Sequence, residues 1–205
     1  MHDEVLTKSA AALLPSIVRF SDFYLAGGTA LALQIGHRRS VDFDLFSEKT
    51  LPAELLPRVK RVCAPLSVVV TYSSTEQLNV LIGGVKTTFL FFPYPVINPP
   101  VAYRGISIAS VREIATMKAF AVGKRLSFKD YVDWYFMLKE KYVTLPDVIA
   151  LAQKKFGGDF NDRLFLGQLV SLADVPIQSI DFLRAAVDKK EITEFLEYSV
   201  KTFAL

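Results

Sequence analysis

Apolar positions along the chain fall into two regimes. Up to residue 92, short apolar segments, several with a period of two, alternate with runs at helical spacing; beyond residue 110 helical spacing prevails. Residues 9–20 predict a helix around Pro15, and residues 23–26 a short apolar strand that ends at Gly27-Gly28. Thr29 opens a helix-forming run that Gly36 stops. From Val41 to Phe46 the alternation is strict, with Val41, Phe43 and Leu45 on one face and Asp42, Asp44 and Phe46 on the other. Residues 52–62 suit a helix, 67–72 a β-branched strand, and 77–82 with 85–92 a hairpin across Gly83-Gly84.

The proline-rich segment 93–100 is the best boundary in the chain, and it divides a core over residues 1–104 from a helical region over 105–205. After a short strand at 105–108, helices are expected near 110–123, 128–141, 145–155, 160–172, 178–187 and 190–203. Their starts are marked by Ser110 with Glu113, Ser127 with Asp130, and Thr144 with Asp147. A mixed sheet followed by a helical bundle is an α+β architecture.

Composition narrows the chemistry. The 205 residues, 51% hydrophobic and 22% charged, hold enough apolar material for a folded core, and the net charge of +3 announces no nucleic acid by itself. One cysteine excludes an internal disulfide framework; Cys63 reads as a core residue. The early acids and the lack of a basic stretch before an apolar one predict no secretory leader, and no apolar run is long enough for a membrane span. A cytoplasmic location is expected. Two histidines and one cysteine cannot build a His/Cys zinc site, so a catalytic metal would take oxygen ligands, which points to Mg²⁺.

Asp42 and Asp44 supply such ligands. Two carboxylates two residues apart on one strand face repel each other unless a cation or basic groups compensate, and Mg²⁺ favours one or two carboxylates completed by water and phosphate. Arg38 or Arg39 pairing with the acids on a solvated strand is the plainer alternative. Gly27-Gly28 lets backbone approach an anion at a helix start, although such a turn also uses glycine for conformation alone. Lys118 lies among Ile114, Ala115, Ala121 and Val122 on an apolar helix face, where it either snorkels to solvent or presents its amine to a buried anion. From 101 to 145 there are eight basic and four acidic residues, a count open to RNA contact or to an ordinary solvated surface. Tyr131, Trp134, Tyr135 and Phe136 suit helix packing better than base stacking.

The combination of a strand, Gly27-Gly28-Thr29, a short helix, Arg38-Arg39-Ser40 and Asp42-Phe-Asp44 resembles the signature of the DNA polymerase β-like nucleotidyltransferase superfamily. The wording GGTALALQIGHRRSVDFDLF is similar to the AbiEii/AbiGii-type nucleotidyltransferase toxins of phage-defence and toxin–antitoxin modules. Ala109-Ser110, Ala115-Thr-Met-Lys118, Lys124-Arg125 and Lys129-Asp130-Tyr-Val-Asp133 continue the match to about residue 138. The resemblance implies a nucleotidyltransferase-fold sheet with flanking helices and a C-terminal bundle that contributes site residues. It assigns nucleotide binding to Gly27, Gly28, Thr29, Arg39, Ser40 and Lys118, Mg²⁺ to Asp42 and Asp44, and catalysis to Asp42, Asp44, Lys118 and Asp130. In that role Lys118 contacts the triphosphate, and Asp130 serves as a base or orients Lys118.

The implied function is transfer of a nucleoside monophosphate from an NTP to a hydroxyl of RNA, such as a tRNA 3′ end, or of protein, with an antitoxin as partner. One departure stands out. No Asp or Glu occurs between Glu76 and Glu113, so the third carboxylate that many relatives take from a later strand is missing, with Thr88 in its expected place. The alternatives are a degenerate nucleotide-binding module acting through protein partners and an RNA-binding helical protein.

Overall fold

A single mixed sheet organises the first half of the chain, in the order β3-β4-β5-β2-β1-β7-β6. Its strands are β1 (Tyr24–Ala26), β2 (Phe43–Ser47), β3 (Val68–Ser73), β4 (Gln77–Ile82), β5 (Val85–Phe91), β6 (Val101–Tyr103) and β7 (Ile106–Ile108). The computed structural model describes residues 1–122 and 127–203. They divide into two units, Met1–Ser110 and Val111–Leu205. The architecture is α+β, with helices flanking the sheet.

Within the first unit, β2 is central: it pairs antiparallel with β1 and parallel with β5. Its burial alternates, with Phe43, Leu45 and Ser47 buried and Asp44 and Phe46 half-buried, as expected for a strand packed on one face. On the buried side the Phe89 ring meets Phe20 and Phe23 edge-on, with centroids 5.1 and 5.2 Å apart. Helix α1 (Lys8–Ile17) starts under Thr7, whose hydroxyl accepts the Ala10 amide, and buries Ala10, Leu13, Leu14 and Ile17. Helix α2 (Gly27–Ile35) is apolar nearly all round and correspondingly buried; left-handed Gly36 ends it. Helix α3 (Leu55–Val62) is capped by Cys63, whose buried thiol is pushed up in pKa by desolvation. The turn between β4 and β5 has positive φ at both Gly83 and Gly84, the conformation a two-residue hairpin demands.

The sheet continues past the prolines. The strand expected at 105–108 forms as β7 and joins β1 in parallel, while its antiparallel neighbour β6 was not legible, being three residues directly after Pro99-Pro100. The second unit carries α4 (Val111–Ala121), α5 (Phe128–Lys139), α6 (Leu145–Phe156), α7 (Asp162–Leu169) and α8 (Lys189–Phe203). Its core is aromatic: Phe120 stacks on Phe156 at 4.3 Å, Trp134 meets Phe165 at 5.3 Å, and Tyr135 meets Phe195 at 5.1 Å. The helix expected at 178–187 does not form. Phe182 reaches the Phe136 ring and Arg184 pairs with Glu140, so anchoring onto α5 overrides local propensity. Asp188 then caps α8 by accepting the Glu191 amide at 2.8 Å. No helix among the described residues is long and apolar enough to cross a membrane.

Candidate functional site

In the first unit the candidate residues converge on the opening turn of α2. β1 passes into the helix through Ala26, which is extended and offers no side-chain cap to the first helical amides. Gly27 takes φ +70°, a left-handed conformation that side chains resist. A Cβ on Gly27 would stand 2.7 Å from Asp44 Oδ2, and one on Gly28 would stand 2.6 Å from Arg38 Nη2. The turn favours glycine at 27, and at both positions a side chain would have to displace the end of Asp44 or Arg38. Thr29, only 2% exposed, has its hydroxyl bonded to Ser40 Oγ at 2.7 Å and to the Asp42 carbonyl oxygen. Three successive residues of one helical turn thus each meet the segment between 38 and 44.

The same segment carries the acids. Asp42 lies one residue before β2, outside the strand expected from residue 41, yet its partial exposure continues the alternation through Asp44 and Phe46. Pairing of β2 with β5 sets Asp44 beside Thr88, and pairing of β5 with β4 sets Thr88 beside Asn79. An uncharged residue therefore occupies the strand position next to Asp44. Ser40 donates its amide to the Val5 carbonyl at 3.0 Å and bridges to Leu6, so the N-terminal residues brace the approach to β2. Arg39 is exposed and donates from Nη1 to the Glu4 carbonyl oxygen at 2.9 Å.

Among the described residues no group of three or more His, Cys, Asp or Glu side chains suits a metal ion. A cation at Asp42 and Asp44 would take two protein carboxylates and fill its remaining positions with water and phosphate oxygens, the donor set that Mg²⁺ favours.

In the second unit Lys118 and Asp130 come together deep in the helices. Lys118 Nζ lies 2.7 Å from Asp130 Oδ1 and 2.8 Å from Asp133 Oδ2, and all three side chains are buried. Burial alone would lower the amine's pKa, but Asp133 and Asp130 outweigh it and hold it above the usual lysine value. Lys118 therefore does not snorkel; the anions it meets are carboxylates of its own chain. Asp133 belongs to the Lys129-Asp130-Tyr-Val-Asp133 motif, in which the resemblance assigns a role to Asp130 alone. The signal for Asp133 is the three-residue spacing from Asp130, which places both acids on one face of a helix.

Two further residues escaped the sequence. Arg38 is 3% exposed against the glycine turn, whereas the adjacent Arg39, chosen for nucleotide binding, faces the N-terminal segment. Glu113, read as half of a helix-start signal, is fully buried and meets Lys155 Nζ at 2.6 Å. Tyr131, Trp134, Tyr135 and Phe136 are core residues. Lys124 and Arg125 lie outside the described residues.

A glycine-opened helix packs against a strand that carries Asp44, with Asp42 one residue before it, on a mixed sheet of the nucleotidyltransferase fold. Two solved structures share the fold. A proposed nucleotidyltransferase from Helicobacter pylori is 21% identical with a TM-score of 0.62, over 96% of this chain and 95% of that one. JHP933 from Helicobacter pylori is 22% identical with a TM-score of 0.60, over 96% and 92%. Residues 14–104 match the family described as nucleotidyl transferase AbiEii toxin, type IV toxin–antitoxin system. Residues 14–104 thus carry an AbiEii-type nucleotidyltransferase toxin domain match. It is also 32% identical over 186 residues to an uncharacterised protein, aq_aa25, of Aquifex aeolicus (strain VF5), covering 89% of this chain and 88% of the relative.

Proposed function

We propose that this protein transfers a nucleoside monophosphate from an NTP to a hydroxyl acceptor, with Mg²⁺ held by Asp42 and Asp44, as the toxin of a toxin–antitoxin module. The observation that carries the reading is the opening turn of α2, where Gly27, Gly28 and Thr29 each face a partner from the segment that bears the two acids. The first amides of α2, uncapped by Ala26, are suited to phosphate oxygens. The Arg38 guanidinium lies over Gly28 beside these amides, and Thr29 holds the chain around Asp42 rather than the phosphate itself. Asp42 and Asp44 would hold Mg²⁺, which would supply neutralisation of the charge that grows as pyrophosphate leaves.

In the reaction, the acceptor oxygen forms a bond to the α-phosphorus as the bond from that phosphorus to the α–β bridging oxygen breaks. The acceptor loses its proton and pyrophosphate departs with the electron pair. The family resemblance assigns Lys118 to the triphosphate and Asp130 to proton handling or to orienting Lys118; the buried pairing of the two supports the orienting role. The same resemblance supports RNA, a tRNA 3′ end included, or protein as acceptor, and an antitoxin as the functional partner.

Thermal melting of the full chain tests the binding half of this reading. Mg²⁺ and NTP together are expected to raise the melting temperature by about 5 °C or more at saturating ligand, with either alone giving little. Equal shifts with and without Mg²⁺ would contradict the metal assignment. A second reading, a nucleotide-binding module without transfer, is favoured by Thr88 beside Asp44, where a third carboxylate would stand. It predicts the same melting shift but no product.

A further inference from the structure

Arg38 sits in an unusual place for a cation. Its guanidinium is buried and lies against the first turn of α2, the positive end of the helix dipole, where a positive charge is disfavoured. Something must offset that cost. Asp44 stands at the next α-carbon: the position a Cβ would occupy on Gly27 is 2.7 Å from Asp44 Oδ2, and that on Gly28 is 2.6 Å from Arg38 Nη2. A carboxylate oxygen and a guanidinium nitrogen thus each take the space a side chain would need on one of two successive glycines. Arg38 Nη1 also donates to the Arg39 carbonyl oxygen at 3.1 Å, which folds the side chain back along its own backbone.

From this arrangement we infer that Arg38 is a positioning residue that locks the Gly27–Gly28 turn onto the strand bearing Asp44, and that Gly28 is glycine because the guanidinium occupies the space of its side chain. The inference rests on the nucleotide-site reading for its functional consequence and on contact geometry alone for the lock itself. A planar fork with several donors can hold a backbone carbonyl and pack flat on a glycine at once; a lysine ammonium keeps the charge without that shape. Arg39 does not take this part, since its guanidinium serves the Glu4 carbonyl instead. Between two adjacent arginines, the buried one organises the turn.

Gly28 makes the lock measurable without any activity. Its φ is not in the left-handed region, so alanine there strains no backbone, and alanine is the better helix former. Four versions of the full chain are compared by thermal melting: the parent, Gly28→Ala, Arg38→Ala and the double variant. In the parent background Gly28→Ala is expected to lower the melting temperature by at least about 3 °C, because the methyl and the guanidinium claim one space. In the Arg38→Ala background the same change is expected to be neutral or to raise it. Additive effects, within about 1 °C, would overturn the lock.

The functional arm uses Arg38→Lys, which keeps the charge. It is expected to fold and to need at least tenfold more NTP, with Mg²⁺ present, for half of the ligand-induced melting shift. An unchanged midpoint would overturn the positioning role. If the parent itself shows no Mg²⁺–NTP shift, the nucleotide reading fails and with it the functional consequence, while the melting comparison still decides whether Arg38 locks the turn.

Discussion

Asp42→Asn is expected to abolish joint stabilisation by Mg²⁺ and NTP while leaving the protein at least as stable as the parent in EDTA. Both halves follow from the strand. Asp42 and Asp44 are two residues apart and part-exposed beside buried Phe43 and Leu45, so their backbones are separated by about 7 Å. At that distance two like charges near a protein surface repel by roughly 1–2 kcal/mol before salt screens them. Neutralising one removes the repulsion and also one of two carboxylates available to the ion. The Thr29 bond is made to the Asp42 backbone carbonyl, which the substitution leaves in place, so the local fold persists. Transfer is expected to fall at least about 100-fold with the loss of metal-assisted charge neutralisation. The check is a pair of melting curves, one in EDTA and one in Mg²⁺ with NTP. A variant melting well below the parent in EDTA would show that Asp42 serves the fold rather than an ion.

Lys118→Met is expected to destabilise the protein by about 3–5 kcal/mol near neutral pH, since it leaves carboxylates buried without their cation. Asp130 and Asp133 are both within 2.8 Å of the amine, and methionine matches its length but not its charge. The pH dependence has a definite sign. Lys118 is held above its ordinary pKa in the folded state, first against burial and then by Asp133 and Asp130. Its contribution to stability is therefore complete below the unfolded value of about 10.5 and is lost only as pH rises through the higher folded value. In the variant the acids that have lost the Lys118 ammonium are less favoured as carboxylates, so the deficit shrinks as pH falls into the carboxylate range. Urea unfolding of parent and variant at pH 5, 7 and 9 measures this. A deficit under 1 kcal/mol at pH 7 would mean that the pair adds little to the fold, leaving Lys118 a ligand-binding role alone.

Local chemistry was the legible part of this chain. Period-two burial around Asp44, the helix stop at Gly36, the hairpin turn at Gly83-Gly84 and the cap at Thr144 depend on neighbours a few residues away, and each appears as expected. Absence was legible too: no acid between residues 76 and 113 meant that an uncharged residue had to stand next to Asp44, and the register gives Thr88. What stayed hidden depends on which way a side chain faces in three dimensions. Arg38 and Arg39 are chemically identical neighbours, and only folding buries one against Gly28 and leaves the other at the surface. Glu113 and Lys155 are 42 residues apart, so no spacing rule joins them. The segment 178–187 has helical composition but spends Phe182 and Arg184 on contacts with α5.

The most direct measurement incubates the purified protein with each α-³²P-labelled NTP, Mg²⁺ and total tRNA or cell extract, beside the Asp42→Ala/Asp44→Ala variant. Nucleotidyl transfer predicts label covalently attached to an acceptor by the parent and not by the variant, with the labelled NTP and the acceptor fraction naming base and substrate class. No label with any NTP, from a protein that still binds Mg²⁺ and NTP, would contradict transfer and leave a nucleotide-binding module with Thr88 where catalysis needs an acid.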